Sequence, residues 1–230
     1  MNHFLAEEWS ELEGRLSAED SHHALRVLRL QVGKAISVSP GDGRVFSAEI
    51  IASPDKSCRF KVGPLLRTEK RPQVSIAIAP TKSNDRFEWF LEKATEFGVA
   101  DIYPVICSHS ERKIYKTDRG RKVIKAAFKQ SKKGFMPELH PTLNLKDFLK
   151  QVEVRNKYIA HLNDGKSLSL NEVEFNAEGV FLIGPEGDFR PEEVEEALSA
   201  GYQALSLGSE VLRTETAGVQ ISALANWFRQ

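Results

Sequence analysis

Gly184-Pro185-Glu186-Gly187-Asp188-Phe189 and Leu207-Gly208-Ser209-Glu210-Val211-Leu212-Arg213-Thr214-Glu215-Thr216-Ala217 are the two stretches that decide how this chain is read. Each follows a short apolar run, residues 179–183 and 204–207, and each opens a segment with helical periodicity. Two strand-loop-helix units in succession bring their loops together at the ends of adjacent strands, where open α/β sheets bind small ligands. A ligand cleft is therefore expected there. Gly184 and Gly187 supply either positive φ or close backbone approach, and Pro185 stiffens the turn. A tight turn without any ligand uses the same residues. The glycine spacings of a dinucleotide fold or a P-loop are absent. In the second loop, Thr214 or Thr216 is expected to cap the helix, and Glu215 suits its positive end. Capping leaves Arg213 and the loop's length unexplained.

Upstream of these loops the same alternation continues. Residues 74–79, 102–106 and 157–162 read as strands. Phe87, Phe90, Leu91, Ala94 and Phe97 share a helical face that Gly98 ends. A helix over 188–200 is expected, with proline and glutamates at its start and Gly201 at its end. The last helix runs from about residue 214 to 228, with Ala217, Ile221, Leu224, Ala225 and Phe228 on one face. Alternating strands and helices imply a mostly parallel sheet, so this part is α/β.

The first third differs. Residues 34–39, 45–52 and 59–66 read as strands, and Pro40-Gly41-Asp42-Gly43 is a hairpin signal. A short helix is expected over 21–30, capped by Ser21. Short strands with turns suggest a small β-barrel. The polar stretch Arg67-Thr68-Glu69-Lys70-Arg71-Pro72 sets the boundary between a domain over 1–70 and one over 73–230.

Composition narrows the function. The 230 residues carry 32 basic and 32 acidic side chains, so the net charge is zero. That argues against a uniformly basic nucleic-acid binder. The cations nonetheless crowd residues 112–133, which leaves room for a basic face. Cys58 and Cys107 lack partner spacing, so reduced structural thiols are expected, without a disulfide or a metal site. The first residues lack the plan of a signal peptide, and no apolar run reaches membrane-spanning length, so a cytoplasmic protein is expected.

The two loops, taken with further motifs, resemble the RsmE family in the SPOUT superfamily of RNA methyltransferases. The likeness covers nearly the whole chain. It includes His23-Ala24-Leu25-Arg26-Val27-Leu28-Arg29-Leu30 with Gly33, then Lys82, Asp85-Arg86-Phe87-Glu88-Trp89 and Glu92-Lys93-Ala94-Thr95-Glu96-Phe97-Gly98-Val99. Ser110-Glu111-Arg112, Gln130-Ser131 and Pro137-Glu138-Leu139 complete it. Two positions depart from the pattern: Asp188, where glycine is usual, and Lys132, where a glycine often follows the serine.

The resemblance implies a PUA-like β-barrel before a SPOUT domain with a deep trefoil knot, an exception to the rule against threaded chains. It implies a homodimer that methylates uridine N3 in 16S rRNA of the small ribosomal subunit, with S-adenosylmethionine as donor and no metal. Leu162, Ile183, Gly184, Glu186, Gly187, Leu207, Gly208, Leu212, Thr214, Thr216 and Ala217 would then form the cofactor site. Backbone groups of Ile183, Gly184, Leu207 and Leu212 would bond the adenine and ribose. Arg213, Arg86 and Glu215 are the catalytic candidates, with the base unassigned. Arg26 and Arg29, one turn apart on the short helix, would contact RNA together with Lys82 and Arg112. A non-catalytic ribosome-assembly factor of the same fold, or a methyltransferase acting at another RNA position, is the alternative.

Overall fold

The computed structural model describes residues 1–51, 57–162 and 167–229, and the chain divides into two compact units. The first comprises Met1–Arg71 and Lys125–Met136. Its strands are β1 (His3–Leu5), β2 (Glu8–Trp9), β3 (Glu13–Arg15), β4 (Ala35–Ser39), β5 (Arg44–Ile51) and β6 (Arg59–Thr68). They form one sheet in the order β1-β4-β5-β6-β3-β2. The two edge strands are consecutive pieces of one segment, and Ala6 N–H donates to Ser39 O while Glu7 N–H donates to Arg15 O. The segment thus closes the sheet on itself, as a barrel should, which leaves no long exposed edge among the described residues. Phe4, Leu16, Ala24, Ile36, Val38, Ile50 and Phe60 fill the interior. The expected strand 45–52 is found as β5; Ala52 lies outside the described residues.

Two expectations for this unit need correction. The short helix begins earlier, as α1 (Ala18–His22), because Ser17 caps it by accepting from Asp20 N–H. A π-helical turn, His23–Val27, follows. Arg29 lies beyond it at φ 52°, so Arg26 and Arg29 do not share one helical face, although both are exposed. The second correction is the domain boundary. The first unit runs to Arg71 and also takes in residues 125–136, from within the stretch assigned to the second domain. His3 bonds Lys133 O, Ser39 Oγ donates to Gly134 O, and Glu69 Oε2 accepts from the N–H groups of Gly134 and Phe135. Lys129 pairs with the buried Asp20.

The second unit contains β7 (Val74–Ile78), α2 (Asn84–Phe97), β8 (Asp101–Ile106) and α3 (Thr117–Gln130), whose C-terminal half belongs to the first unit. It continues with β9 (Glu138–Leu139), β10 (Leu143–Asn144), α4 (Leu145–Gln151), β11 (Asn156–Ala160) and β12 (Gly179–Ile183). It ends with α5 (Pro191–Ser199), β13 (Gln203–Leu205) and α6 (Thr214–Phe228). The sheet order is β10-β8-β7-β12-β11-β13, with β9 beside β8, and every pairing is parallel. The β7 pattern is buried at all five positions, as befits a central parallel strand.

Gly98 ends α2 in the left-handed conformation at φ 81°, where glycine carries no side-chain penalty. The apolar face of α6 is narrower than expected: Ala217, Ile221 and Ala225 are buried, Leu224 is half-buried and Phe228 is exposed, stacked on Phe175. α5 starts at Pro191 rather than at 188, because Asp188 sits at φ 58°, outside a right-handed helix.

Candidate functional site

A cleft of about 320 Å³ opens at the C-terminal ends of β11, β12 and β13. The strands carrying the two decisive loops are not neighbours, contrary to expectation. β11 lies between them, and its last turn supplies His161 and Leu162 to the same cleft. Three adjacent parallel strands therefore build the site, at the sheet edge where such ligand sites form.

The start of α6 binds the loops into one wall. Thr214 Oγ1 donates to Gly184 O at 3.0 Å, and Gln220 Nε2 donates to Leu207 O at 3.2 Å. This replaces the expected capping role: Arg213 is the N-cap residue of α6, and no side chain caps it. Gly184 is needed for close approach rather than for positive φ. A Cβ there would lie 2.9 Å from the Phe189 ring, and the buried Phe189 is part of the sheet's core. Asp188, which replaces a usual glycine, tolerates its positive φ as aspartate can. Its carboxylate accepts from Phe189 N–H at 2.8 Å and from Leu162 N–H at 3.0 Å, tying the β12 loop to the end of β11.

Of the expected cofactor residues, Leu162, Ile183, Gly184, Glu186, Leu207, Gly208, Leu212, Thr214 and Ala217 line the cleft. Gly187 and Thr216 do not. Gly187 O receives His109 Nδ1–H at 3.0 Å, and Thr216 faces a neighbouring hollow. The carbonyls of Ile183, Gly184 and Leu207 already accept bonds from Ala79, Thr214 and Gln220. Among the described residues, the N–H groups of Leu207 and Leu212 have no such partner. Glu186 lines the cleft and accepts from Lys82 N–H at 3.3 Å, so it also orients its loop.

Sequence reasoning missed His161, Asp188 and Glu210 as lining residues. His161 Nε2 is buried without a partner among the described residues. Its place near the C-terminal end of the expected strand 157–162 was the available signal; β11 itself ends at Ala160, which frees His161 for the cleft.

Arg86, Arg213 and Glu215 come together in the neighbouring hollow, with Arg86 Nε 3.8 Å from Glu215 Oε1. Arg213 lines both spaces. Lys82 pairs with Glu111 at 2.7 Å, and Arg112 donates to the carbonyls of Thr81 and Lys82 at 3.0 and 2.7 Å. Arg112 thus braces the loop before α2. Cys58 and Cys107 are buried free thiols, and burial raises both above the ordinary thiol range, which disfavours the nucleophilic thiolate. Asp101, Glu138 and His140 have metal-ligand spacing; His140 Nε2 lies 3.0 Å from Asp101 Oδ1.

A family model described as an RNA methyltransferase domain matches residues 68–226, and one described as an RNA methyltransferase PUA domain matches 16–63. The crystal structure of a probable rRNA-methyltransferase from Porphyromonas gingivalis is 34% identical, with TM-score 0.88, covering 100% of this chain and 98% of that one. The chain belongs to the RsmE family of RNA methyltransferases. Among RsmE proteins, the small-subunit methyltransferase E of Neisseria gonorrhoeae, solved with S-adenosylmethionine bound, is 26% identical. It matches at TM-score 0.86 over 97% of this chain and 96% of its own. The Rickettsia conorii small-subunit methyltransferase E is 27% identical over 208 residues, 86% of this chain and 82% of that protein. The N-terminal barrel is thus the PUA domain of an RsmE-family chain, and the parallel sheet with its cleft is the SPOUT-type methyltransferase domain.

Proposed function

We propose that this RsmE-family protein uses S-adenosylmethionine to methylate N3 of a uridine in 16S rRNA of the small ribosomal subunit. The observation that carries the proposal is the cleft that Thr214 closes by its bond to Gly184, with Arg213 shared between it and the adjoining hollow.

The residues present fit the donor. The cleft volume lies in the range of small-molecule sites. Leu162, Ile183, Leu205 and Ala217 give it apolar walls, and the free N–H groups of Leu207 and Leu212 offer donors to a nucleoside. Glu186, Asp188 and Glu210 line it against the single guanidinium of Arg213 among its described residues. That carboxylate excess suits a ligand bearing a sulfonium and an ammonium. Bound there, the donor supplies a methyl group on positively charged sulfur. Gly187 and Thr216 would support the loops rather than touch it.

The protein's own work is positioning and charge stabilisation. Arginine stays protonated in proteins, so Arg213 acts as an electrostatic partner for negative charge developing on the uracil oxygens, with Arg86 behind it. RNA would be held by Arg26 and Arg29 on the barrel, and by Lys82 and Arg112 once the RNA backbone competes for them. A homodimer, the trefoil knot and a cytoplasmic location belong to the same reading. Among the described residues, no helix is long and apolar enough to cross a membrane.

Labelled methyl transfer to small subunits lacking the mark tests the proposal directly; no incorporation would refute it. Arg213→Ala should lower turnover roughly 100-fold, the cost of losing one transition-state donor, while donor affinity by calorimetry changes little. Undiminished turnover would remove Arg213 from this role.

A further inference from the structure

Beside the donor cleft, and within the same unit, α2 and the loop before α6 flank an open hollow of about 630 Å³. Arg86, Trp89, Leu212, Arg213, Glu215 and Thr216 line it, and Leu212 and Arg213 line the cleft as well. Its floor carries an anomaly. Glu215 is only 5% exposed, yet its Oε2 has no hydrogen-bond partner among the described residues. Its Oε1 faces Arg86 Nε at 3.8 Å, beyond hydrogen-bond distance. Native folds keep few buried polar atoms without partners, because each is costly. The favourable helix-start position of Glu215 explains its charge but not the empty oxygen.

The geometry points to this hollow as the seat of the target nucleobase, with Glu215 reading and removing its imide proton. The inference rests on the methyltransferase reading and deepens it. Uracil presents a flat face, two carbonyl oxygens and one N3–H donor between them. The exposed indole of Trp89 offers the stacking surface by which proteins hold an unstacked RNA base. Arg86 and Arg213 stand for the two oxygens as these gain charge. The Glu215 carboxylate accepts the N3–H. Cytosine, with an acceptor at N3, would set lone pair against carboxylate and be rejected.

The step balances within these groups. The N3 proton passes to the Glu215 carboxylate, and the N3 electron pair forms the new bond to the methyl carbon. The carbon–sulfur pair stays on sulfur, so the sulfonium leaves as a neutral thioether. Glu215 later gives the proton to water.

The test uses the purified protein, labelled S-adenosylmethionine and small subunits reconstituted on RNA transcribed with either uridine or 5-fluorouridine, whose N3–H is more acidic. Glu215→Gln keeps the side chain's shape and removes its basicity. Turnover on uridine RNA should fall roughly 100-fold, the usual worth of a general base, with donor affinity retained. Most of that loss should be recovered on fluorouridine RNA. Glu215→Asp, which keeps a carboxylate, should stay well above Glu215→Gln on uridine RNA. Equal losses on both RNAs, equal losses in both variants, or no loss would each overturn the role of Glu215. If the unaltered protein labels neither RNA, the methyltransferase reading itself fails, and this inference with it.

Discussion

Thr214 shows how one hydroxyl sets a site. Its Oγ1 bond to Gly184 O joins the loop after β12 to the first turn of α6, and both partners line the cleft. Thr214→Val keeps the shape, removes the donor and leaves the buried carbonyl short of a partner. About 1–2 kcal/mol of stability should be lost, with donor binding weakened roughly tenfold. Denaturant unfolding and calorimetry check both, and unchanged values would show the loops to be held otherwise. At this scale the sequence was partly legible. Nine of the eleven expected cofactor residues lie around one cleft, seven of them within the two motifs. The threonines were misassigned as caps, because a capping pattern fixes residue type and position but not the direction of the hydroxyl. Asp188 and Lys132, the two positions where the resemblance leads one to expect glycine, both sit at positive φ, 58° and 55°, the conformation glycine adopts without strain. Aspartate offsets the strain with two hydrogen bonds.

At the scale of elements, β1 is tied to the segment after α3 through His3. Its Nε2–H donates to Lys133 O at 2.9 Å, and its Nδ1 lies 3.0 Å from Ser37 Oγ. Burial holds its pKa down to about 4; the bond to Lys133 O opposes this and loses. The sign follows by linkage. Between pH 6.5 and 4 the unfolded chain takes up a proton that the folded one refuses, so stability falls as pH drops through that window. The loss approaches about 3 kcal/mol at the acid end. His3→Gln, which cannot titrate, should flatten this dependence in urea unfolding at pH 7.5 and pH 5, and an unchanged slope would place its origin elsewhere. Element types were largely readable from periodicity, as the match of Gly179–Ile183 and Thr214–Phe228 shows. Ends set by backbone conformation, such as the π-helical turn after His22 and the late start of α5, were not.

At the scale of the whole molecule, two facts escape any local pattern. The order β12-β11-β13 places a non-consecutive strand in the middle of the site, and residues 125–136 complete the barrel unit from the far side of the boundary. Both depend on pairings between residues distant in sequence, where periodicity carries no information. The resemblance supplied what periodicity could not: the PUA and SPOUT architecture. We propose that the cleft at β11, β12 and β13 delivers a methyl group to uridine N3 seated in the adjoining hollow. Mass spectrometry of nucleosides from unmethylated small subunits incubated with the protein and S-adenosylmethionine should then find N3-methyluridine at one position. A methyl on a ribose oxygen or another base, or none at all, would refute the proposal.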